Sequence, residues 1–154
     1  KRQLRAGLLD GAVDVVATDH APHTLEEKER PYASAPSGGP LVQHSLPMML
    51  ELSAQGVLPV ETVVEKMCHA PARLFGVRDR GFLRTGHFAD IVLVRPADPW
   101  TVSKENILYK CGWSPLEGTA FSHRVVRTLV NGRTVYADGR VDTAHRGAEL
   151  EFDR

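Results

Sequence analysis

Asp19, His20 and His23 place one carboxylate and two imidazoles within five residues, directly after the short β-branched run from Val13 to Thr18. Imidazole and carboxylate are zinc ligands, and a carboxylate beside a metal-held water can act on it as general base. The plainer alternative is that Asp19 shapes the turn and the histidines make ordinary hydrogen bonds, because carboxylates after strands often form turns. Pro22 fixes the backbone between the two histidines and would orient them reproducibly.

The other candidates are weaker. The segment Ala33-Ser34-Ala35-Pro36-Ser37-Gly38-Gly39-Pro40 could bring backbone amides close to a ligand, but its composition suits a plain connector equally well. Glu26 to Arg30 reads as a solvated short helix capped by Thr24, with no catalytic part. His44 and His69 fall in expected helices as structural histidines, while His87, His123 and His145 lie far from the cluster in sequence. Arg73 suits an ion pair better than a substrate clamp.

These residues need elements to hold them. Leu4, Leu8 and Leu9 recur at helical spacing before Asp10-Gly11, so helix, turn and buried strand lead into Asp19. A long loop at the carboxyl end of such a strand is where α/β folds place chemistry. Leu41 to Gln55 traces a helical face with Pro47 in its first two turns; Pro59 opens a second helix to about Cys68, and Pro71 a third that Gly76 closes. Beyond Gly81, strands are expected at Phe88–Val94, Val125–Val130 and Arg133–Tyr136, the last two joined by an Asn131-Gly132 hairpin turn. Asp138-Gly139 marks a further turn, and the polar tail from Thr143 should fray.

A chain of 154 residues with 42% hydrophobic residues can bury one ordinary core. Its formal net charge of zero supplies no field to gather nucleic acid or anionic lipid, so neither is expected as a partner. No apolar run approaches the roughly 20 residues of a membrane helix, which favours a cytoplasmic protein. Cys68 and Cys111 form no CxxC pair and read as reduced, partly buried thiols. The chain opens without methionine in mid-pattern, as a fragment would. An independent small β-rich binding module fits poorly with a lone barrel-like strand.

Thr18-Asp19-His20-Ala21-Pro22-His23-Thr24, then Glu26-Glu27-Lys28 and Ala35-Pro36-Ser37-Gly38, resembles the end of the barrel in dihydroorotases of the amidohydrolase superfamily. His69-Ala70-Pro71-Ala72-Arg73-Leu74-Phe75-Gly76 and Gly86-His87-Phe88-Ala89-Asp90-Ile91-Val92 resemble motifs shared widely in that superfamily. Lys110-Cys111-Gly112-Trp113-Ser114-Pro115-Leu116-Glu117-Gly118 is similar to a late loop of bacterial dihydroorotases and narrows the likeness.

The resemblance implies an α/β fold: residues 1–80 as the carboxy-terminal part of a (β/α)8 barrel, and residues 81–154 as β-sandwich strands and tail. A complete barrel takes about 250 residues and cannot fit here. It implies Asp19 as a ligand of a binuclear zinc centre and as the base that takes the proton of the metal-held hydroxide. His23 would contact the substrate carboxylate, and Pro36 and Gly38 would offer backbone contacts to the ring. The remaining metal ligands would lie upstream of Lys1, in an absent amino-terminal portion that becomes the expected partner beside a small-molecule substrate and further copies in a homo-oligomer. The implied reaction is reversible hydrolysis of dihydroorotate to N-carbamoyl-L-aspartate in pyrimidine synthesis. Its rivals are an allantoinase- or hydantoinase-like cyclic amidase, which His23 argues against, and a non-catalytic scaffold for aspartate transcarbamoylase, which Asp19 argues against.

Overall fold

Helices come first and a single antiparallel sheet follows in the computed structural model, which describes residues 2–153. Helix α1 (Arg2–Asp10) carries the expected leucine stripe and stops before Gly11. Helix α2 (Leu25–Lys28) starts at Thr24, whose side chain caps it as anticipated. Helix α3 spans Ser45–Ala54. It is shorter at its start than the apolar pattern from Leu41 suggests, because residues 42–44 form a turn first.

Two expected helices prove to be one run. Helix α4 (Val60–Val64) passes through a π-turn (Glu65–His69) directly into α5 (Ala70–Phe75). Pro71 has no N–H to donate, and widening the preceding turn, with Ala70 N–H on the Glu65 carbonyl, lets the helix continue past it. The core of this half joins Met49, Leu58 and Val63 to Leu8, Val16, Leu46, Leu50, Leu52 and Met67.

The run before Asp19 differs from the buried strand expected there. It belongs to no strand ladder among the described residues. Val16 N–H instead donates to the Lys66 carbonyl at 3.0 Å, and the Lys66 ammonium donates to the Val13 carbonyl at 2.6 Å. A parallel strand needs neighbours to take up its alternate backbone groups, and here Lys66 in the π-turn supplies part of that pairing.

The sheet runs β1 (Ile91–Thr101), β2 (Ala120–Val130), β3 (Arg133–Ala137), β4 (Arg140–Val141), in that spatial order. Strands β1 and β2 extend well past the apolar segments that announce them. Pro96 is tolerated in β1 because this is an edge strand and the register shifts between Pro96 and Trp100. Asn131 and Gly132 take φ of 51° and 77°, the paired positive values of the primed hairpin turn. Helix α3 packs on β2, where Glu51 accepts from Ser122 N at 2.9 Å and from its hydroxyl at 2.7 Å. Those bonds, the backbone one first, hold the Glu51 carboxyl below its ordinary range.

The tail does not fray throughout. Asp153 N–H donates to the Gly76 carbonyl at 2.8 Å, Arg78 N–H to the Glu151 carbonyl at 2.9 Å, and the Arg78 guanidinium pairs with Glu151 and Asp153. Gly76, at φ +61°, permits this approach: a Cβ there would meet the Asp153 carbonyl oxygen at 2.7 Å. Cys68 is exposed rather than partly buried, and Cys111 is half-buried. No helix among the described residues is long and apolar enough to cross a membrane.

Arg80 ties the helical half to the sheet. It is buried, ion-paired with Asp90, bonded to Asn131 Oδ1 at 2.8 Å, and its guanidinium lies 4.1 Å from the Phe88 ring centroid. Asp90 in turn accepts from Asn131 N–H at 2.8 Å. Arg80→Met should therefore destabilise the fold by about 2 kcal/mol, the usual cost of stranding partners of a buried charged group. Thermal unfolding of the full-length variant should show a lower midpoint, which Arg80→Lys restores only in part because an ammonium cannot reproduce the planar fork. An unchanged midpoint would contradict this role.

Candidate functional site

Three loops meet after residue 18. The first carries Asp19, which is exposed and sits at φ 44°, a left-handed value that costs a non-glycine residue of order 1 kcal/mol. Among the described residues its carboxylate has no hydrogen-bond or ion-pair partner. Its φ is shared by Asp79 and Asp138, at 54° and 49°, so it is the unpaired carboxylate that distinguishes Asp19 from a turn-forming aspartate bonded to its own backbone.

His20 is turned the other way. Its Nδ1 accepts from Leu41 N–H at 3.1 Å and Val42 N–H at 3.4 Å, and its ring lies 5.3 Å from that of Tyr109. It fastens one loop to the next. His23 is half-buried, with Nδ1 3.6 Å from Glu27 Oε2. Glu27 completes the capping box, accepting from Thr24 N–H at 2.8 Å, and that bond, before the one from the Thr24 hydroxyl, keeps its carboxyl below the usual range. A carboxylate thus stands beside the imidazole.

The second loop, residues 35–42, is pinned against the first. Ala21 N–H donates to the Gly39 carbonyl at 3.1 Å, and His20 and Gly39 form an isolated parallel bridge. Gly38, at φ +83°, lies so close that a Cβ would meet Ala21 Cβ at 2.6 Å. From the opposite side, Lys28 Nζ donates to the carbonyls of Pro36 at 2.6 Å and Gly38 at 2.9 Å.

The third loop follows β1. Trp113 Nε1 donates to the His23 carbonyl at 2.8 Å, and Pro115 Cγ lies 3.8 Å from where a Gly39 Cβ would stand. Tyr109 is buried; its hydroxyl accepts from Gln43 N–H at 2.9 Å and shares a hydrogen bond with His44 Nδ1 at 3.1 Å. His44 is fully buried among Tyr109, Trp100 and Phe121, and burial pulls its pKa below the ordinary histidine value. Its Nδ1 faces the Tyr109 hydroxyl, while its Nε2 is buried without a hydrogen-bond partner among the described residues.

Of the residues that sequence reasoning singled out, Asp19, His23, Pro36 and Gly38 are brought into one loop cluster. No group of three or more metal-ligating side chains exists among the described residues. Asp19 suits one position of a metal centre, being anionic, exposed and unpaired, but this cluster does not complete the set. Arg73 is ion-paired with Glu65, as its setting suggested. Lys28 and Trp113 are the residues that sequence reasoning did not place. Lys28 looked like part of a solvated charge run, and Trp113 reaches a carbonyl 90 residues away, a distance over which no local pattern speaks.

The chain matches the Amidohydrolase family over residues 41–136. A dihydroorotase from Pelobacter propionicus is 42% identical over 133 residues, covering 86% of this chain and 31% of its own length. One from Halobacterium salinarum is 41% identical over 143 residues, covering 93% of this chain and 33% of the relative. Among solved structures, an L-hydantoinase (dihydropyrimidinase) from Arthrobacter aurescens superposes with a TM-score of 0.83 at 31% identity, covering 92% of this chain and 33% of that one. The chain thus spans about a third of the length of the relatives it matches. With a mixed α/β fold, an antiparallel sheet and a family match over more than half its residues, the chain belongs to the amidohydrolase family.

Proposed function

We propose that the chain supplies one metal ligand, the general base and part of the substrate pocket of a dihydroorotase, whose other ligands come from polypeptide outside these 154 residues. The observation that carries this reading is the exposed Asp19, its carboxylate unpaired among the described residues, with His23 and the Gly38 loop fixed beside it. Identity of about 40% to dihydroorotases supports the choice of ring. In this reading residues 1–80 are the end of a (β/α)8 barrel and residues 81–154 contribute to a β-sandwich. Leu74 and Phe75, 62% and 63% exposed on α5, are apolar surface that such neighbours would cover.

Bound divalent metals, zinc in this reading, would acidify the attacking water and polarise the ring amide carbonyl. The work of this chain is proton handling and placement. Water oxygen adds to the amide carbon, Asp19 accepts the proton released, and as the C–N bond breaks Asp19 returns it to the departing ring nitrogen. In the cyclising direction the same carboxylate takes the proton from the carbamoyl nitrogen. His23, its backbone set by Trp113, faces the substrate carboxylate, and the Pro36 and Gly38 backbone lines the ring.

A hydantoinase-like reading shares the chemistry and is favoured by one observation, the 31% identity to the L-hydantoinase. Hydantoin carries no carboxylate for His23 to bind, so His23 separates the two. In the full-length enzyme His23→Ala should raise KM for dihydroorotate about tenfold or more, as expected when a charge-assisted contact is lost, while bound metal stays at the wild-type level. Steady-state kinetics alongside metal analysis reads both. Loss of a metal equivalent with unchanged KM would place His23 among the metal ligands instead.

A further inference from the structure

Lys28 has no part in the chemistry above, yet its ammonium bonds both carbonyls of the residues that flank Ser37. It leaves the capped helix α2 half-buried and reaches Pro36 O at 2.6 Å and Gly38 O at 2.9 Å. A peptide plane carries its C=O and N–H antiparallel, so a carbonyl drawn to Lys28 turns the next residue's N–H to the opposite side. For the plane joining Gly38 and Gly39 that opposite side is the Asp19–Ala21 segment, as the His20–Gly39 bridge and the close Gly38–Ala21 approach show.

We infer that Lys28 is a positioning residue for substrate binding: by holding the Pro36 and Gly38 carbonyls it fixes the loop of residues 35–42, bridged to the Asp19–Ala21 segment, whose backbone the proposed function sets against the ring of the cyclic amide. The inference rests on the proposed function for the identity of the ring that this loop meets, but the clamp itself does not. Two charge-assisted bonds fix a glycine-containing loop that would otherwise sample several conformations before each binding event. The loss should therefore fall on substrate binding more than on the bond-breaking step, whose acid-base group lies on another loop.

The test uses the full-length metal-loaded enzyme, with Lys28→Met removing the ammonium and Lys28→Arg keeping donors on a long side chain. Lys28→Met should raise KM for dihydroorotate about tenfold, with kcat within about threefold and metal content unchanged, a split that a loss of fold would not produce. Lys28→Arg should recover most of the KM. Amide exchange should accelerate in Lys28→Met for peptides covering residues 33–41 and not for those covering β1 and β2. A wild-type KM in Lys28→Met, or equal losses of kcat, metal and thermal midpoint in both variants, would overturn the inference. If the wild type does not hydrolyse dihydroorotate, the functional reading fails separately. The exchange experiment then decides the clamp: acceleration confined to 33–41 supports it, and an unchanged loop refutes it.

Discussion

Asp19→Asn in the full-length enzyme is expected to lower turnover of dihydroorotate by about a hundredfold or more at saturating metal, the usual loss when a general acid-base group is removed. The substitution is close to isosteric, and asparagine is among the residues that tolerate the left-handed backbone that Asp19 adopts at φ 44°. No hydrogen bond of the fold is lost with the charge, since the carboxylate has no partner among the described residues. The variant should thus melt near the wild-type temperature. An amide cannot take up the proton at neutral pH and is a poorer metal ligand than a carboxylate, so metal per chain must be measured together with rate. Near-normal turnover at full metal occupancy would remove Asp19 from the role of base.

The second large effect concerns the 154-residue polypeptide by itself. Purified alone, it should bind zinc weakly and hydrolyse no dihydroorotate above background. One carboxylate, even with one imidazole, cannot replace the three or four protein ligands of a zinc site, and no such group exists among the described residues. It should also self-associate. Leu4 and Leu9 on α1 are 68% and 54% exposed, adding to the bare apolar surface of α5, and the run before Asp19 has no strand partner among the described residues. Supplying the remainder of the enzyme as a separate polypeptide should restore metal binding and activity together. Zinc titration, sedimentation and an activity assay on the same samples check this. Metal-dependent hydrolysis by the strictly monomeric chain would contradict it.

Much of this architecture is written in short-range signals. Thr24 followed by Glu27 gives the capping box of α2, and Asn131-Gly132 gives the β2–β3 hairpin, because both depend on contacts within four residues. The Asp19–His23 cluster was legible for the same reason. What escaped depends on distant partners. The run from Val13 has strand composition but finds the π-turn at Lys66 instead of a strand, and the polar tail is held by Arg78 and the open backbone at Gly76, some 75 residues earlier. The merging of two helices through a π-turn is local, but proline signals a helix start and a helix interruption with the same letter. Lys28 sits among glutamates and reads as solvated charge until the fold brings the Pro36 and Gly38 carbonyls within reach.

The central claim is that this site serves a ring bearing a carboxylate. The most direct test is kcat/KM of the full-length metal-loaded enzyme for dihydroorotate, hydantoin and allantoin under one set of conditions. The account predicts that dihydroorotate is preferred by about a hundredfold or more, the scale on which a pocket built for a polar group rejects a ring that lacks it. Equal or greater kcat/KM for hydantoin or allantoin would contradict it.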